Sequence, residues 1–277
     1  MNAHKLYLKY YEVFDKTSFR EILIYIKKNS DFNSFGQINL NESELDSFFI
    51  ILKKFQNHIP LAYILGYKFF YKNEFIVNKN VLIPRFESEL LIEETLKYEI
   101  KNKKVIDICC GSGCIGISLK LAEPSIKLFL TDISSKALEV TKQNLEKFDI
   151  KADVYLGDFL EPIFDKKVVP DFILINPPYI AYDDNNVDIK TLKYEPKKAL
   201  FTEENGLKFY KLLEQNIVKL YKLNPKIVII CEFGYEQKQA IESIFKHLSV
   251  KYNVEFKKDY FNNWRYFVIN SKELHEK

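Results

Sequence analysis

Asn176-Pro177-Pro178-Tyr179 is the stretch whose residue types could do chemistry together, and it directly follows the apolar run Phe172-Ile173-Leu174-Ile175. That run, entered through Pro170-Asp171, reads as a strand buried on both faces, the kind found in a parallel sheet covered by helices. Two consecutive prolines offer no N–H to a sheet ladder and fix φ at about −65°, so the chain must leave the strand there in a rigid turn. The Asn176 side-chain amide and the Pro177 carbonyl then face a cleft, with the flat Tyr179 ring beside them. Such a set suits holding a planar NH2 group by both hydrogens while a ring stacks on its plane. A primary amide or the exocyclic amine of a nucleobase has that shape. Taken alone, the tetrapeptide reads equally well as an ordinary turn.

A second group of residues describes a nucleoside-shaped pocket. Gly111-Ser112-Gly113 follows the apolar Val105-Ile106-Asp107-Ile108 and would let backbone approach a ligand closely. Asp132 and Asp158 end the next two apolar runs, where carboxylates can accept ribose hydroxyls or reach an adenine amine, and Phe159 can pack on the purine. Gly111, Gly113 and Gly116 satisfy the dinucleotide fingerprint in letters only, which is weak support. Asp107, just before the loop, disfavours a pyrophosphate and suits a ligand with a cationic amine. A methyl donor such as S-adenosylmethionine fits that description, with a nicotinamide cofactor and a merely structural turn as the other readings.

These residues need a frame. From Lys103 onward strands and helices alternate, which predicts an α/β class with a doubly wound parallel sheet. Strands are expected at 105–108, 128–132, 154–156, 172–175 and 227–231, with an antiparallel pair at 254–256 and 266–269. Helices are expected from the glycine turn to about 122, from Ser134 or Ser135 to 148, over 207–221 and over 236–248. Before this the spacing is helical at 18–28 and after an N-cap at Asn41, ending near Pro60. A loose alternation over 69–77 predicts a hairpin. The expected division is a helical docking domain at 1–66, a hairpin linker at 67–83 and a catalytic domain at 84–277.

Composition narrows the possibilities. With 47% hydrophobic and 29% charged residues the chain is a globular protein with a real core. It has no apolar run of membrane-spanning length and its first residues are too charged for a signal peptide, so a cytoplasmic address is expected. Up to Ile83 there are 11 basic and 8 acidic residues, leaving 30 of each from totals of 41 and 38. A neutral catalytic part does not favour stable nucleic-acid binding. Cys109, Cys110 and Cys114 crowd one loop without a histidine nearby, so no metal site is expected. His4, His58, His247 and His275 are scattered, which leaves histidine-based nucleophilic catalysis unsupported. A monomer is expected.

Several further stretches occur in one order around these groups. They are His58-Ile59-Pro60-Leu61-Ala62-Tyr63-Ile64-Leu65-Gly66, Val81-Leu82-Ile83-Pro84-Arg85-Phe86-Glu87-Ser88-Glu89, Asp107 to Gly113, Asn176 to Tyr179, Tyr194-Glu195-Pro196-Lys197-Lys198-Ala199-Leu200 and Glu232-Phe233-Gly234-Tyr235-Glu236-Gln237. On these stretches the sequence resembles class I S-adenosylmethionine-dependent methyltransferases and, more narrowly, the protein-(glutamine-N5) methyltransferases that modify peptide-chain release factors. It departs from them at Cys109, where the family often has glycine, at Phe86 for proline, Phe159 for tryptophan and Phe233 for histidine.

The resemblance implies a Rossmann-like class I methyltransferase sheet of seven strands, the last hairpin antiparallel, after a small all-α domain and a β-hairpin linker. It implies S-adenosyl-L-methionine held by Asp107, Cys109, Cys110, Gly111, Ser112, Gly113, Asp132, Asp158, Phe159 and Asn176. It also implies a substrate, the glutamine of the Gly-Gly-Gln motif of class 1 release factors, methylated on N5, with Asn176, Pro177, Pro178 and Tyr179 as catalytic and substrate-holding residues. Arg85, Glu87 and Glu89 either touch that substrate or pair with neighbouring helices, and Glu195 either shapes the cleft or starts a helix. The alternative is a methyltransferase acting on adenine or cytosine amines in DNA or RNA, which would hold a flipped base in a basic groove. A non-catalytic nucleotide-binding module is a further rival.

Overall fold

The structure, a computed structural model, describes residues 1–29, 33–184 and 193–272. Contacts divide it into two compact units, one of Met1–Tyr67 with Lys193 and Tyr194, the other of residues 68–184 and 195–272.

The first unit is helical. Its helices are α1 (Ala3–Tyr10), α2 (Lys16–Lys27), α3 (Glu42–Gln56) and α4 (Leu61–Leu65). The expected cap at Asn41 is a capping box: Asn41 Oδ1 accepts from Glu44 N at 2.9 Å and Glu44 Oε2 accepts from Asn41 N at 2.9 Å. Ring contacts among Phe14, Phe19 and Phe48 fill the space the helices enclose. At eight and five residues, α1 and α4 are too short for apolar spacing to reveal them.

A hairpin follows, β1 (Tyr67–Phe70) and β2 (Asn73–Ile76), which from Lys68 onward belongs to the second unit. Phe70 and Phe75 sit in the same core as the main sheet. Buried Asn144 fastens it, accepting from Ile76 N at 2.7 Å and donating to Ile76 O at 3.1 Å. Helix α5 (Glu89–Thr95) follows, then β3 (Lys104–Ile108), α6 (Cys114–Ala122), β4 (Lys127–Asp132), α7 (Ser135–Lys147), β5 (Asp153–Leu156) and β6 (Phe172–Ile175). Of the two candidate caps, Ser134 serves α7, its hydroxyl accepting from Ala137 N.

Short strands β7 (Ile180–Ala181) and β8 (Phe201–Thr202) pair separately, and β9 (Val228–Glu232), β10 (Tyr252–Lys258) and β11 (Trp264–Ser271) complete the main sheet. Its seven strands run in the order β10-β11-β9-β6-β3-β4-β5. Strand β11 runs antiparallel to β10 and β9 while the other pairings are parallel, as expected for the last hairpin. The hairpin is longer than its apolar residues suggest, because polar positions such as Asn253, Lys257 and Asn270 are also paired. From β3 the chain winds outward to β4 and β5, then returns to start the other half at β6. The carboxyl ends of β3 and β6 therefore border the point where winding reverses, which opens a crevice.

Alternate residues on each strand supply two cores. Ile106, Ile108, Ile173 and Ile175 pack with Leu213, Ile217 and Phe245 from helices Lys208–Leu223 and Lys238–Phe245. Val105, Leu128, Leu130 and Leu174 pack with Leu91, Ile115, Leu119 and Leu145 on the other face. Because both faces are covered, the strands read as continuous apolar runs. Among the described residues, no helix is long and apolar enough to cross a membrane.

Candidate active site

The loop after β3 takes the left-handed region three times, at Cys109 (φ 58°), Gly111 (φ 56°) and Gly113 (φ 78°). Its shape is held from outside. Gly111 N donates to Asp132 Oδ2 at 2.9 Å, Thr141 Oγ1 donates to the Gly111 carbonyl at 2.8 Å, and Asn144 Nδ2 donates to the Ser112 carbonyl at 2.9 Å. A Cβ on Gly111 would meet nothing within 4 Å, so backbone there stands open to the adjoining space. Gly116 differs: a Cβ there would lie 2.9–3.0 Å from Leu130, Asp107 and Leu128 side chains. Its role is close packing of α6 on the sheet, which explains the third glycine of the fingerprint without a pyrophosphate.

Strand periodicity turns Asp107 toward α6 with Val105, away from the face that carries Ile106 and Ile108. The carboxyl is fully buried; Oδ2 accepts from Gly116 N at 2.9 Å, and Oδ1 has no partner. Loss of hydration pushes its pKa up to about 7, against the Gly116 hydrogen bond and with the help of the Asp132 charge. Asp107 lies under the loop and does not itself line the cavity above.

That cavity, about 490 Å³, spans the ends of β3, β4, β5 and β6. Cys109, Cys110, Gly111, Ser112, Asp132, Asp158, Phe159 and Asn176 line it, whereas Gly113 faces Ile117 and Thr141. Both Asp132 oxygens accept backbone hydrogens, from Gly111 N and, at 2.8 Å, Ser134 N, while burial raises the pKa of the carboxyl. Phe159 packs edge-on against Phe209, with centroids 5.0 Å apart. Burial pushes the Cys109 and Cys110 thiols up, and that of Cys114 to about 12, so they stand neutral as packing groups. Among the described residues no cluster of His, Cys, Asp or Glu could hold a metal ion. A size suited to a nucleoside, open backbone at Gly111, strand-end carboxylates and a buried unpartnered Asp107 oxygen together fit a nucleoside-bearing group with a cationic end.

Asn176 and Pro178 reach the cavity wall; Pro177 and Tyr179 do not. The Tyr179 ring turns toward Gly234, and its hydroxyl donates to Glu232 Oε1 at 3.4 Å, burial holding its pKa well above the ordinary value. Gln237 Nε2 donates to the Tyr179 carbonyl at 2.8 Å. Asn176 Nδ2 donates to Ser88 Oγ at 2.9 Å, and Ser88 Oγ donates to Glu232 Oε2 at 2.6 Å. Ser88 and Glu232 stand in stretches that carry the resemblance, but neither was given a role from sequence. Glu232 carries the same signal as Asp132, an acid ending an apolar strand; Ser88 has none. Burial lifts the Glu232 pKa to about 7, opposed by the Ser88 hydrogen bond and the Arg265 charge.

Of the residues with two readings, Arg85 lines the cavity and its Nη2 pairs with Glu195 Oε1 at 2.6 Å, while Glu195 Oε2 accepts from Ile83 N at 3.0 Å. Glu89 accepts from Tyr71 N at 2.8 Å. Glu87 is half-buried off the cavity wall, and its charge raises the pKa of Glu232. At the positions that depart from the family pattern, Phe86 is exposed against Tyr260 and Phe233 is wholly buried.

Residues 86–200 match the family described as the methyltransferase small domain. The release factor glutamine methyltransferase of Mycoplasma mycoides subsp. mycoides SC is 42% identical over 225 residues, 80% of this chain and 79% of that protein. A bifunctional methyltransferase of Rickettsia bellii is 38% identical over 74% of this chain, which spans only 42% of its length. The crystal structure of the hMettl16 catalytic domain in complex with MAT2A 3'UTR hairpin 1 superposes with a TM-score of 0.58 over 90% of both chains at 15% identity, a likeness of fold alone. The sheet is that of class I methyltransferases. Identity across four-fifths of both sequences goes much further than a shared sheet: this chain belongs to the release factor glutamine methyltransferase family.

Proposed function

We propose that the chain methylates the side-chain nitrogen N5 of the glutamine in the Gly-Gly-Gln motif of class 1 peptide-chain release factors, using S-adenosyl-L-methionine. The observation that carries this reading is the donation from Asn176 Nδ2 to Ser88, which leaves Asn176 Oδ1 as an acceptor at the wall of the cavity. An acceptor there takes one hydrogen of a primary amide, and the other falls, on this reading, to the carbonyl of the adjoining Pro177.

Asp132, Asp158 and Phe159 take the nucleoside part of the methyl donor, and the Cys109–Ser112 stretch passes against it. Asp107 supplies negative potential from beneath. When bound, S-adenosylmethionine supplies an electrophilic methyl on a sulfonium, the carbon–sulfur electron pair staying with sulfur as the nitrogen lone pair forms the new bond. An amide nitrogen is a poor nucleophile because its lone pair is delocalised into the carbonyl. The corner at Asn176 and Pro177 therefore acts by holding that nitrogen in line with the methyl, and positioning of this kind can supply much of a rate enhancement. The extra proton leaves to water after transfer. Pro178 keeps the corner rigid, Tyr179 braces its exit, and Arg85 and Glu87 border the path of the substrate loop.

The test is incubation with methyl-labelled S-adenosylmethionine and a purified class 1 release factor, with the Gln→Ala form of that factor and duplex DNA as controls. Label on the release factor and not on its Gln→Ala form is expected. Label on DNA and none on protein overturns the proposal.

A further inference from the structure

We propose that Ser88 and Glu232 are positioning residues that set the polarity of the Asn176 amide and so make the corner select an NH2 group. This rests on the proposed glutamine methylation and names the device behind its selectivity.

The sheet register brings the three groups together. Ile175 of β6 is level with Cys231 of β9, so the next residues, Asn176 and Glu232, end neighbouring strands side by side. Ser88, from the turn before α5, fits between them with its side chain buried. Above about pH 7, where Glu232 is ionised, its carboxylate can only accept, and a serine hydroxyl has one proton. That proton goes to Glu232 Oε2 over 2.6 Å, a short bond of the charge-assisted kind. Ser88 Oγ then has only lone pairs left for Asn176, which must turn its NH2 inward; the distance is 2.9 Å.

Asn176 Oδ1 consequently faces outward. The opposite flip would put an NH2 in the cavity wall, donor against donor with a glutamine amide, and would favour a carboxylate or carbonyl instead. Glu232 is itself held, with its second oxygen taking the Tyr179 hydroxyl at 3.4 Å and its backbone carbonyl taking the Tyr210 hydroxyl at 3.2 Å. Its negative charge has the Arg265 charge nearby. Neither Ser88 nor Glu232 needs to touch the substrate to act.

The experiment compares wild type, Ser88→Ala, Ser88→Thr, Glu232→Gln and the Ser88→Ala/Glu232→Gln double variant at pH 8. Ser88→Ala is expected to lower kcat by about 10- to 100-fold, the scale of a misplaced reactive group. The Kd for S-adenosylmethionine and the KM for release factor should stay within about threefold, because the cofactor and docking contacts are intact. Ser88→Thr keeps the hydroxyl and should recover most of kcat. The double variant should be no slower than the slower single variant, since both act through one amide. Additive losses, or a fall in cofactor affinity matching the fall in kcat, overturn the proposal.

A second readout needs no release factor. In 15N-labelled wild type the Asn176 side-chain amide should give two well-separated, slowly exchanging N–H signals, identified by their absence in Asn176→Asp. In Ser88→Ala they should move to the positions of a free amide; unchanged signals overturn the proposal. Separated signals in a wild type that methylates no release factor would remove the substrate assignment and leave the amide's orientation standing.

Discussion

The Arg85 guanidinium pairs at 2.6 Å with Glu195, a carboxylate only 2% exposed and 110 residues further along the chain. The same carboxylate takes the Ile83 backbone hydrogen, so one buried group fixes two points of the loop that leads to Ser88. Glu195→Ala would strand a buried N–H and a partly buried cation. A loss of about 2–3 kcal/mol is expected from urea unfolding, less than a fully buried pair would give because Arg85 is partly solvated. Glu195→Gln should lose less, since its amide oxygen can still accept from Ile83 N.

Cys109 adopts φ 58°, in the left-handed region that favours glycine. A side chain in this region costs roughly 1–2 kcal/mol, so Cys109→Gly should raise stability by about 1 kcal/mol after the lost packing, read as a higher Tm. Gly113→Ala should do the reverse: at φ 78° its new Cβ would also meet Ile117 and Thr141 at 3.0 Å. Calorimetry should show a lower Tm and weaker cofactor binding.

Asp107 and Glu232 both have folded-state pKa values near 7, above ordinary values of 3.8 and 4.5, chiefly through burial. In that interval the folded chain binds more protons than the unfolded one. Their contribution to stability is therefore fully present below about pH 4 and is lost as pH rises to about 7, at about 1.4 kcal/mol for each tenfold change in proton affinity. Asp107→Asn should flatten the stability profile between about pH 4 and 7 in denaturant titrations. An unchanged slope would mean that the carboxyl is not the titrating group.

The corner can be damaged from the front or from behind. Asn176→Ala should abolish turnover, by about 100-fold or more, while S-adenosylmethionine binding by calorimetry stays within a few-fold. At Gly206, φ 81°, a Cβ would collide with the Tyr179 carbonyl oxygen and crowd Gln237 Nε2 at 2.6 Å. Gly206→Ala should therefore cost at least about 2 kcal/mol and lower kcat together with stability.

Much of this was legible in the sequence because strands buried on both faces leave continuous apolar runs, and their last residues mark the ligand edge. Asp132 and Asn176 stand at the ends of such runs and line the cavity; Asp158 lines it too, but it follows the edge strand β5, whose residues are only partly buried. Asp107 was legible as an important acid but not as a buried one, because the close packing of Gly116 that covers it depends on α6 lying against β3 and β4. The Tyr179 ring was expected to face the cleft; what turns it toward Glu232 and Gly234 is a set of contacts from β9 and the segment after it, 53 residues and more away. Ser88 lies within the Val81–Glu89 stretch, yet a lone serine between two glutamates has no period or spacing to single it out.

Asn144 has a consequence of its own. One side chain, wholly shielded from water, grips both backbone groups of Ile76 and the carbonyl of Ser112. The amino-terminal hairpin and the glycine bend thus share a latch, and neither can fray without releasing the other. The Ile76 amide should exchange with deuterium at the rate at which that bend opens, and filling the cavity should slow it, making a residue outside the pocket a reporter of occupancy.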